Sequence, residues 1–187
     1  RLITDRRTIM PDMKKKYNEE VVPALKQKLG ITNIMQVPKL QKIVLSTGIS
    51  SKMEKDAMAE ARTHLTALAG QAPVTCKAKK NVAGFKLRVG MPVGLMVTLR
   101  GKKMYDFLDR FVHNALPRVR DFRGVPNKGF DGVGNYNLGV PDVSIFTEID
   151  LEKIKYPLGL NLTMVTSAKT DADAKELLTM LEIPFAR

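Results

Sequence analysis

The sequence predicts an α+β fold, a largely antiparallel sheet with helices packed on one face and a polar, open second face. Three observations carry this. Residues 40–47, 93–100 and 160–167 alternate two sets of side chains with the period of a strand. Residues 13–29, 51–70, 102–115 and 170–182 repeat apolar residues at helical spacing. The stretch 71–101 between them is rich in cations and reads as a basic finger held on the sheet.

In chain order, residues 1–11 carry Arg1, Arg6 and Arg7 without an apolar period and read as a basic arm; residues 12–187 read as one domain. Asp12 can cap a helix whose buried stripe is Met13, Tyr17, Val21 and Leu25. Lys14, Lys15 and Lys16 sit in its first turn, the unfavourable end of the helix dipole for cations, so their charge serves a ligand rather than the helix. Pro23 removes a backbone donor and marks a kink; Gly30 ends the helix.

The first strand, 40–47, sets Leu40, Lys42, Val44 and Ser46 on one face and Gln41, Ile43, Leu45 and Thr47 on the other. Ser51 and Glu54 form a capping box for a helix with Met58, Ala61, Leu65 and Leu68 inward. His64 beside that stripe reads as a surface or half-buried residue, since no second His or Cys pairs with it as a metal ligand. In the central stretch Phe85, Leu87 and Val89 alternate with Lys86 and Arg88, and Val93, Leu95, Val97 and Leu99 alternate with Gly94, Met96, Thr98 and Arg100. Gly90, Pro92 and Gly94 break the two runs.

The helix 102–115 turns Met104, Phe107, Leu108 and Phe111 inward, with Leu116 just beyond them, and Pro117 stops it; His113 reads as structural. Residues 118–124 alternate cation and apolar residue and read as a strand with a basic edge. Residues 124–139 hold closely spaced glycines, yet match neither the G-x-G-x-x-G nucleotide fingerprint nor a calcium loop, and read as a long ordered loop with a functional role. The last strand, 160–167, places Leu160, Leu162 and Met164 opposite Asn161, Thr163 and Val165. Thr170 and Asp173 cap the closing helix, which turns Ala174, Leu177, Leu178 and Leu181 inward.

Charge narrows the function. The net charge is +12, and no acidic residue occurs from Ala61 to Tyr105. Eight Lys or Arg between Lys77 and Lys103 therefore need an anion from elsewhere, and a polyanion is the natural one. The excess lies in residues 1–140, with 26 cations against 11 carboxylates; residues 141–187 carry 5 against 8. A single cysteine, Cys76, excludes an internal disulfide and a cysteine metal cluster and reads as a space-filling residue in a reducing compartment. No apolar run approaches the ~20 residues of a membrane span, and no signal-peptide pattern is present. The polar face, listed from the alternation as Lys42, Ser46, Thr98, Arg100, Asn161 and Thr163, makes a nucleic-acid platform beside the finger. It lacks the aromatic pair that stacks single-stranded bases, so folded RNA gripped by backbone and shape is the expected ligand. No carboxylate cluster and no spaced nucleophile and base support an enzyme, and no cofactor or metal is expected. The alternative is a free-standing RNA chaperone or processing factor using the same surface.

Several long motifs then carry a resemblance. These are Gly70-Gln71-Ala72-Pro73, KAKKNVAGFKLRVGMPVG from Lys77, Val97-Thr98-Leu99-Arg100-Gly101, PRVRDFRG from Pro117, FDGVGNYNLG from Phe130, and Ile183-Pro184-Phe185. Over about residues 14–187 the chain resembles the family of large-subunit ribosomal protein five, the 5S rRNA-binding protein of the central protuberance, in its bacterial or organellar form. The resemblance implies 5S rRNA contacts at Lys15, Lys42, Ser46, Gln71, Thr98 and Arg100. It implies that the finger reaches the elbow of the peptidyl-site tRNA through Thr75, Lys77, Lys79, Lys80, Asn81, Phe85, Lys86 and Arg88. It implies an intersubunit bridge from the glycine-rich loop to a small-subunit head protein, using Arg123, Lys128, Phe130, Asp131, Asn135 and Tyr136. Large-subunit rRNA and other 5S rRNA-binding ribosomal proteins are further implied partners, with no membrane, in a cytoplasmic or alternatively an organellar ribosome. Three places depart from the family pattern: Ser46 replaces Asn, Pro141-Asp142 replaces Arg-Glu, and Thr147 replaces Pro.

Overall fold

The structure, a computed structural model, describes residues 13–49, 55–150, 154–156 and 158–186. The basic arm, the Asp12 cap and the Ser51–Glu54 capping box lie outside the described residues.

The chain enters through α1 (Met13–Lys16), a π-helical turn (Tyr17–Val21) and α2 (Val22–Lys28). The expected stripe faces inward, with Met13, Val21 and Leu25 buried and Tyr17 half-buried. The irregularity marked by Pro23 takes the form of that wider turn. Proline offers no N–H, and its ring would strike the Glu19 carbonyl in a regular α-turn. Instead the Val22 N–H reaches back five residues to the Tyr17 carbonyl.

Strand β1 (Leu40–Gly48) leads to α3 (Lys55–Ala69), then to β2 (Val74–Lys77) and β3 (Pro92–Leu99) on either side of the finger. Helix α4 (Gly101–Arg110) continues through a second π-turn (Phe111–Ala115). Strands β4 (Tyr136–Val140) and β5 (Leu160–Thr166) and helix α5 (Asp171–Met180) complete the chain. The five strands form one sheet in the order β2-β3-β1-β5-β4, antiparallel throughout.

The core lies between the inner sheet face and the helices. Ile43, Leu45, Leu95, Val97, Leu99, Leu162 and Met164 are buried from the sheet. Leu65, Leu68, Phe107, Phe111, Leu177, Leu178 and Leu181 meet them, with α3 against β3 and α4 against β1. Phe107, Phe111 and Phe146 cluster with centroids 6.1–6.2 Å apart, Phe111 stacked on both others and Phe107 tilted to Phe146. Gly94 lets β3 approach β1, since a Cβ there would stand 2.4 Å from the Thr47 carbonyl oxygen.

Some expectations need correction. Leu40 does not share a face with Lys42: a bulge between them turns Leu40 inward, where it is 4% exposed, beside Ile43 and Leu45. Residues 118–124 are not a strand. Leu116–Arg118 is a 3-10 turn, and the chain then reverses through Asp121 at φ 51° and Gly124 at φ 100°, which no strand permits. Residues 85–89 are likewise not a strand. Ala83–Phe85 is a 3-10 turn, Lys86 is left-handed at φ 54°, and a single bridge joins Val82 to Leu87. Conversely, the second half of the glycine-rich loop is strand β4, whose Asn and Gly residues have poor strand propensity and whose pairing with β5 supplies the order instead. His64 is buried rather than surface or half-buried, 3.3 Å from Glu60 Oε1, which also accepts the Lys155 N–H at 2.9 Å.

Candidate nucleic-acid interface

The alternation of β1, β3 and β5 places Lys42, Ser46, Thr98, Asn161 and Thr163 on the face away from the helices, all half-buried or exposed, with Arg100 exposed just beyond β3. Register brings them together. Val44 lies between Thr98 and Thr163, and Ser46 between Met96 and Asn161. Thr163 Oγ1 donates to Asn137 Oδ1 at 2.8 Å, which extends the polar row onto β4. The face is not wholly polar. Val44 and Val165 share it, as do Met96 at 38% exposure and its neighbour Val74 at 65%.

Arg100 stands where β3 passes into α4, its backbone still extended at φ −140°, and Gly101 makes the turn at φ 59°. Gln71 Nε2 donates to the Thr98 carbonyl at 2.8 Å, so these two candidates are joined. Lys15 is exposed but stands apart, on the helix that packs against α4.

The finger continues β2 and β3 for a few bonds: Ala78 N–H to Met91 O at 2.8 Å and Gly90 N–H to Ala78 O at 3.0 Å. Beyond them Asn81 Oδ1 accepts the Val89 N–H at 2.7 Å, so this candidate braces the loop. Lys77, Lys79, Lys80, Lys86 and Arg88 are all exposed, and Phe85 is 71% exposed at the tip. Thr75 is half-buried and pairs with Leu95, which puts it on the helix side of the sheet rather than with Val74 and Cys76.

In the glycine-rich segment Arg123, Lys128 and Asp131 are exposed, and Phe130 and Asn135 are half-buried. Tyr136 is a correction: it is 0% exposed and cannot present its side chain to a partner. Its ring packs on Phe130 at 4.7 Å and edge-on to Phe185 at 5.5 Å, its hydroxyl donates to the Pro126 carbonyl at 2.6 Å, and burial pushes its pKa up to about 12. The Asn135 amide and the backbone N–H groups of Val133 and Asn135 hold the Asp131 carboxyl below its ordinary range.

Lys and Arg ion pairs lie on one side of the molecule, although not every cation there is paired: Lys15, Lys26 and Arg62 have no carboxylate partner among the described residues. Lys16 pairs with Glu182, Lys28 with Glu176 and Arg110 with Glu148, all in the helical layer. Among the described residues, no carboxylate pairs with Lys42 or Arg100 at the face, or with Lys77, Lys79, Lys80, Lys86 or Arg88 on the finger. No helix among the described residues is long and apolar enough to cross a membrane.

Two family profiles match this chain, ribosomal protein L5 over residues 33–88 and the C-terminus of the same ribosomal family over residues 92–185. The large ribosomal subunit protein uL5 of Desulfotalea psychrophila is 53% identical over 179 residues, covering 95% of this chain and 100% of that protein. Those of Flavobacterium johnsoniae and Clostridium tetani are 52% and 51% identical, each over 95% of this chain and over 97% and 99% of their own lengths. The chain belongs to the ribosomal protein L5 family.

As an L5-family protein of bacterial type it is a structural, RNA-binding constituent of the large subunit of the cytoplasmic ribosome, and not an enzyme. The two matched regions share one sheet, because β1 of the first lies between β3 and β5 of the second. Sequence reasoning misses some residues of this L5-family surface. Asn137 reads as loop, and nothing local places Val74 on the open face, whereas Met96 falls there by its alternation with Thr98 and Arg100. Asp171, between the capping residues Thr170 and Asp173, holds the glycine loop, a contact no local pattern announces.

Proposed function

We propose that the open sheet face holds 5S rRNA in the large subunit through Lys42, Ser46, Gln71, Thr98 and Arg100, with Lys15 of α1 as a separate contact to the same RNA. The observation that carries this is that the ion pairs of Lys16, Lys28 and Arg110 all lie in the helical layer, whereas Lys42 and Arg100 on the face have no carboxylate partner among the described residues. A ligand with regularly spaced phosphates supplies the missing counter-charge, and release of its own counterions makes binding strongly salt-dependent. Short hydroxyl and amide side chains between small apolar ones suit the 2′-hydroxyls and sugar edges of a folded RNA better than loose bases.

In the same reading the finger reaches peptidyl-site tRNA, since Lys77, Lys79, Lys80, Lys86 and Arg88 project without acidic partners around an exposed Phe85. The glycine loop bridges to a protein of the small-subunit head. The test is selection from total RNA: the purified protein should retain 5S rRNA, and Arg100→Ala should lose it first as salt is raised. Equal retention of unrelated structured RNAs would point instead to a free-standing chaperone, and co-sedimentation with ribosomes through a salt wash separates the two.

A further inference from the structure

Two carboxylates occupy the backbone of the glycine loop from both sides. Asp131 Oδ1 accepts the N–H groups of Val133 at 2.9 Å and Asn135 at 3.0 Å. Asp171, from the first turn of α5, accepts Gly132 N–H at 3.1 Å through Oδ2 and Gly134 N–H at 2.9 Å through Oδ1. Every amide from residue 132 to 135 is therefore taken. Asp171 is available for this because Thr170 caps α5, its hydroxyl accepting the Asp173 N–H at 3.3 Å. The loop is also pressed onto the chain before α5. Thr166 Oγ1 donates to the Gly134 carbonyl at 2.6 Å, and a Cβ on Gly134, at φ +83°, would stand 2.7 Å from the Ala168 carbonyl oxygen. The product is a fixed apex that presents Val133 at 64% exposure.

A glycine-rich turn with free amides is an anion-binding concavity. Here the amides are spent and two carboxylates lie behind them, so the loop repels a phosphate where an open turn would cradle one. We propose that Asp171 is the positioning residue of a protein-docking tip: with Asp131 it holds residues 131–135 in their bound form in advance and closes them to nucleic acid. Pre-forming the loop removes the ordering cost from the docking step. The partner's class rests on the bridge reading above; the clasp itself does not.

The experiment uses the whole protein, Asp171→Ala, Asp171→Asn and Val133→Asp. Amide exchange of Gly132 and Gly134 should quicken at least tenfold in Asp171→Ala and less in Asp171→Asn, which keeps one acceptor oxygen. Large subunits carrying Asp171→Ala should join small subunits several-fold more slowly, with 5S rRNA affinity within twofold of wild type. Inorganic phosphate should leave the Gly132 and Gly134 amide shifts of the wild type unmoved. Unchanged exchange in a folded Asp171→Ala protein, or phosphate-induced shifts in the wild type, would overturn the proposal. Faster exchange with normal joining would overturn the positioning role, and Val133→Asp then shows which reading failed: slowed joining leaves the bridge standing, normal joining removes it too.

Discussion

Gln71 closes the edge of the sheet for Thr98. Strand β2 stops pairing at Val74 opposite Met96, and the Thr98 carbonyl beyond it is met by the Gln71 side-chain amide at 2.8 Å. Gln71 thus does the work of one more strand residue, and its neighbour Arg100 is free of that duty.

The two residues should separate in experiment. Gln71→Ala should lower stability by about 1 kcal/mol, the net worth of one hydrogen bond, and weaken 5S rRNA binding through the loosened edge. Arg100→Ala should leave stability within ~0.5 kcal/mol, as for a surface change, yet cost ~1.5–3 kcal/mol of 5S rRNA affinity. It should also flatten the salt dependence by about one unit of log affinity per log salt. Thermal melts and binding titrations at several salt concentrations check both; normal 5S rRNA affinity in Arg100→Ala removes the face from the interface.

On the finger, changing Lys77, Lys79 and Lys80 together to Gln should move stability by no more than about 0.5 kcal/mol, because all three are exposed and none contributes to the core. 5S rRNA binding should hold, while peptidyl-site tRNA leaves reconstituted ribosomes faster. Collapse of 5S rRNA binding with normal tRNA release would reverse the two surfaces.

Much of this architecture was legible because burial writes itself into the sequence. The stripes Met104, Phe107, Leu108, Phe111 and Ala174, Leu177, Leu178, Leu181 are buried as their spacing requires, and Leu95, Val97 and Leu99 mark the inner face of β3. What failed was decided by partners distant in the chain. A bulge set the facing of Leu40, β5 made a strand of Tyr136–Val140, and nothing near Arg118–Gly124 revealed that its alternation had no strand to pair with. The candidate site was legible as charge, since the missing carboxylates of residues 61–105 need no geometry to notice. The interior position of Tyr136 was not, because an aromatic in a loop motif reads the same whether it faces a partner or Phe130 and Phe185.

Two glycines should prove intolerant for different reasons. Gly94→Ala places a Cβ against the backbone of Thr47 and should cost about 1–3 kcal/mol as β1 and β3 are forced apart, lowering the denaturation midpoint of the whole domain. Gly134→Ala combines a left-handed φ with contact to Ala168 and should release the loop while leaving the sheet intact, visible as local amide exchange. Gly132→Ala, with the same backbone strain but open space, should be the milder of the two.

Opposite responses to pH are expected from two carboxylates that flank His113. The Lys16 ammonium bonded to Glu182 holds that carboxyl below its ordinary range, with His113 adding to the effect. Its folded pKa is depressed, so its stabilising share is present at neutral pH and lost as pH falls through the folded value. Glu182→Gln should therefore lower the Tm at pH 7, with the difference shrinking in acid. Burial instead raises the Asp109 carboxyl, whose Oδ1 completes no hydrogen bond although His113 Nδ1 stands 2.9 Å away. Its ionisation costs stability as pH rises through the folded value, so Asp109→Asn should raise the Tm at pH 7 and lose that advantage in acid. Tm measured across pH 3–8 for both variants reads the two signs directly.

The π-turn at Tyr17–Val21 works as a phase corrector. Residues repeating every four positions drift sideways around an α-helix, since one turn takes only ~3.6 residues. The wider turn drifts the other way, and the two offset, which is why Met13 and Leu25 point into the same core across twelve positions. Lys14 and Lys15 inherit their outward bearing from that correction. Deleting Asn18 would change the phase between α1 and α2 and swing both ammonium groups by about a quarter-turn around the helix axis. In this helix the aim of the cationic end is set by one surplus residue in an exposed turn.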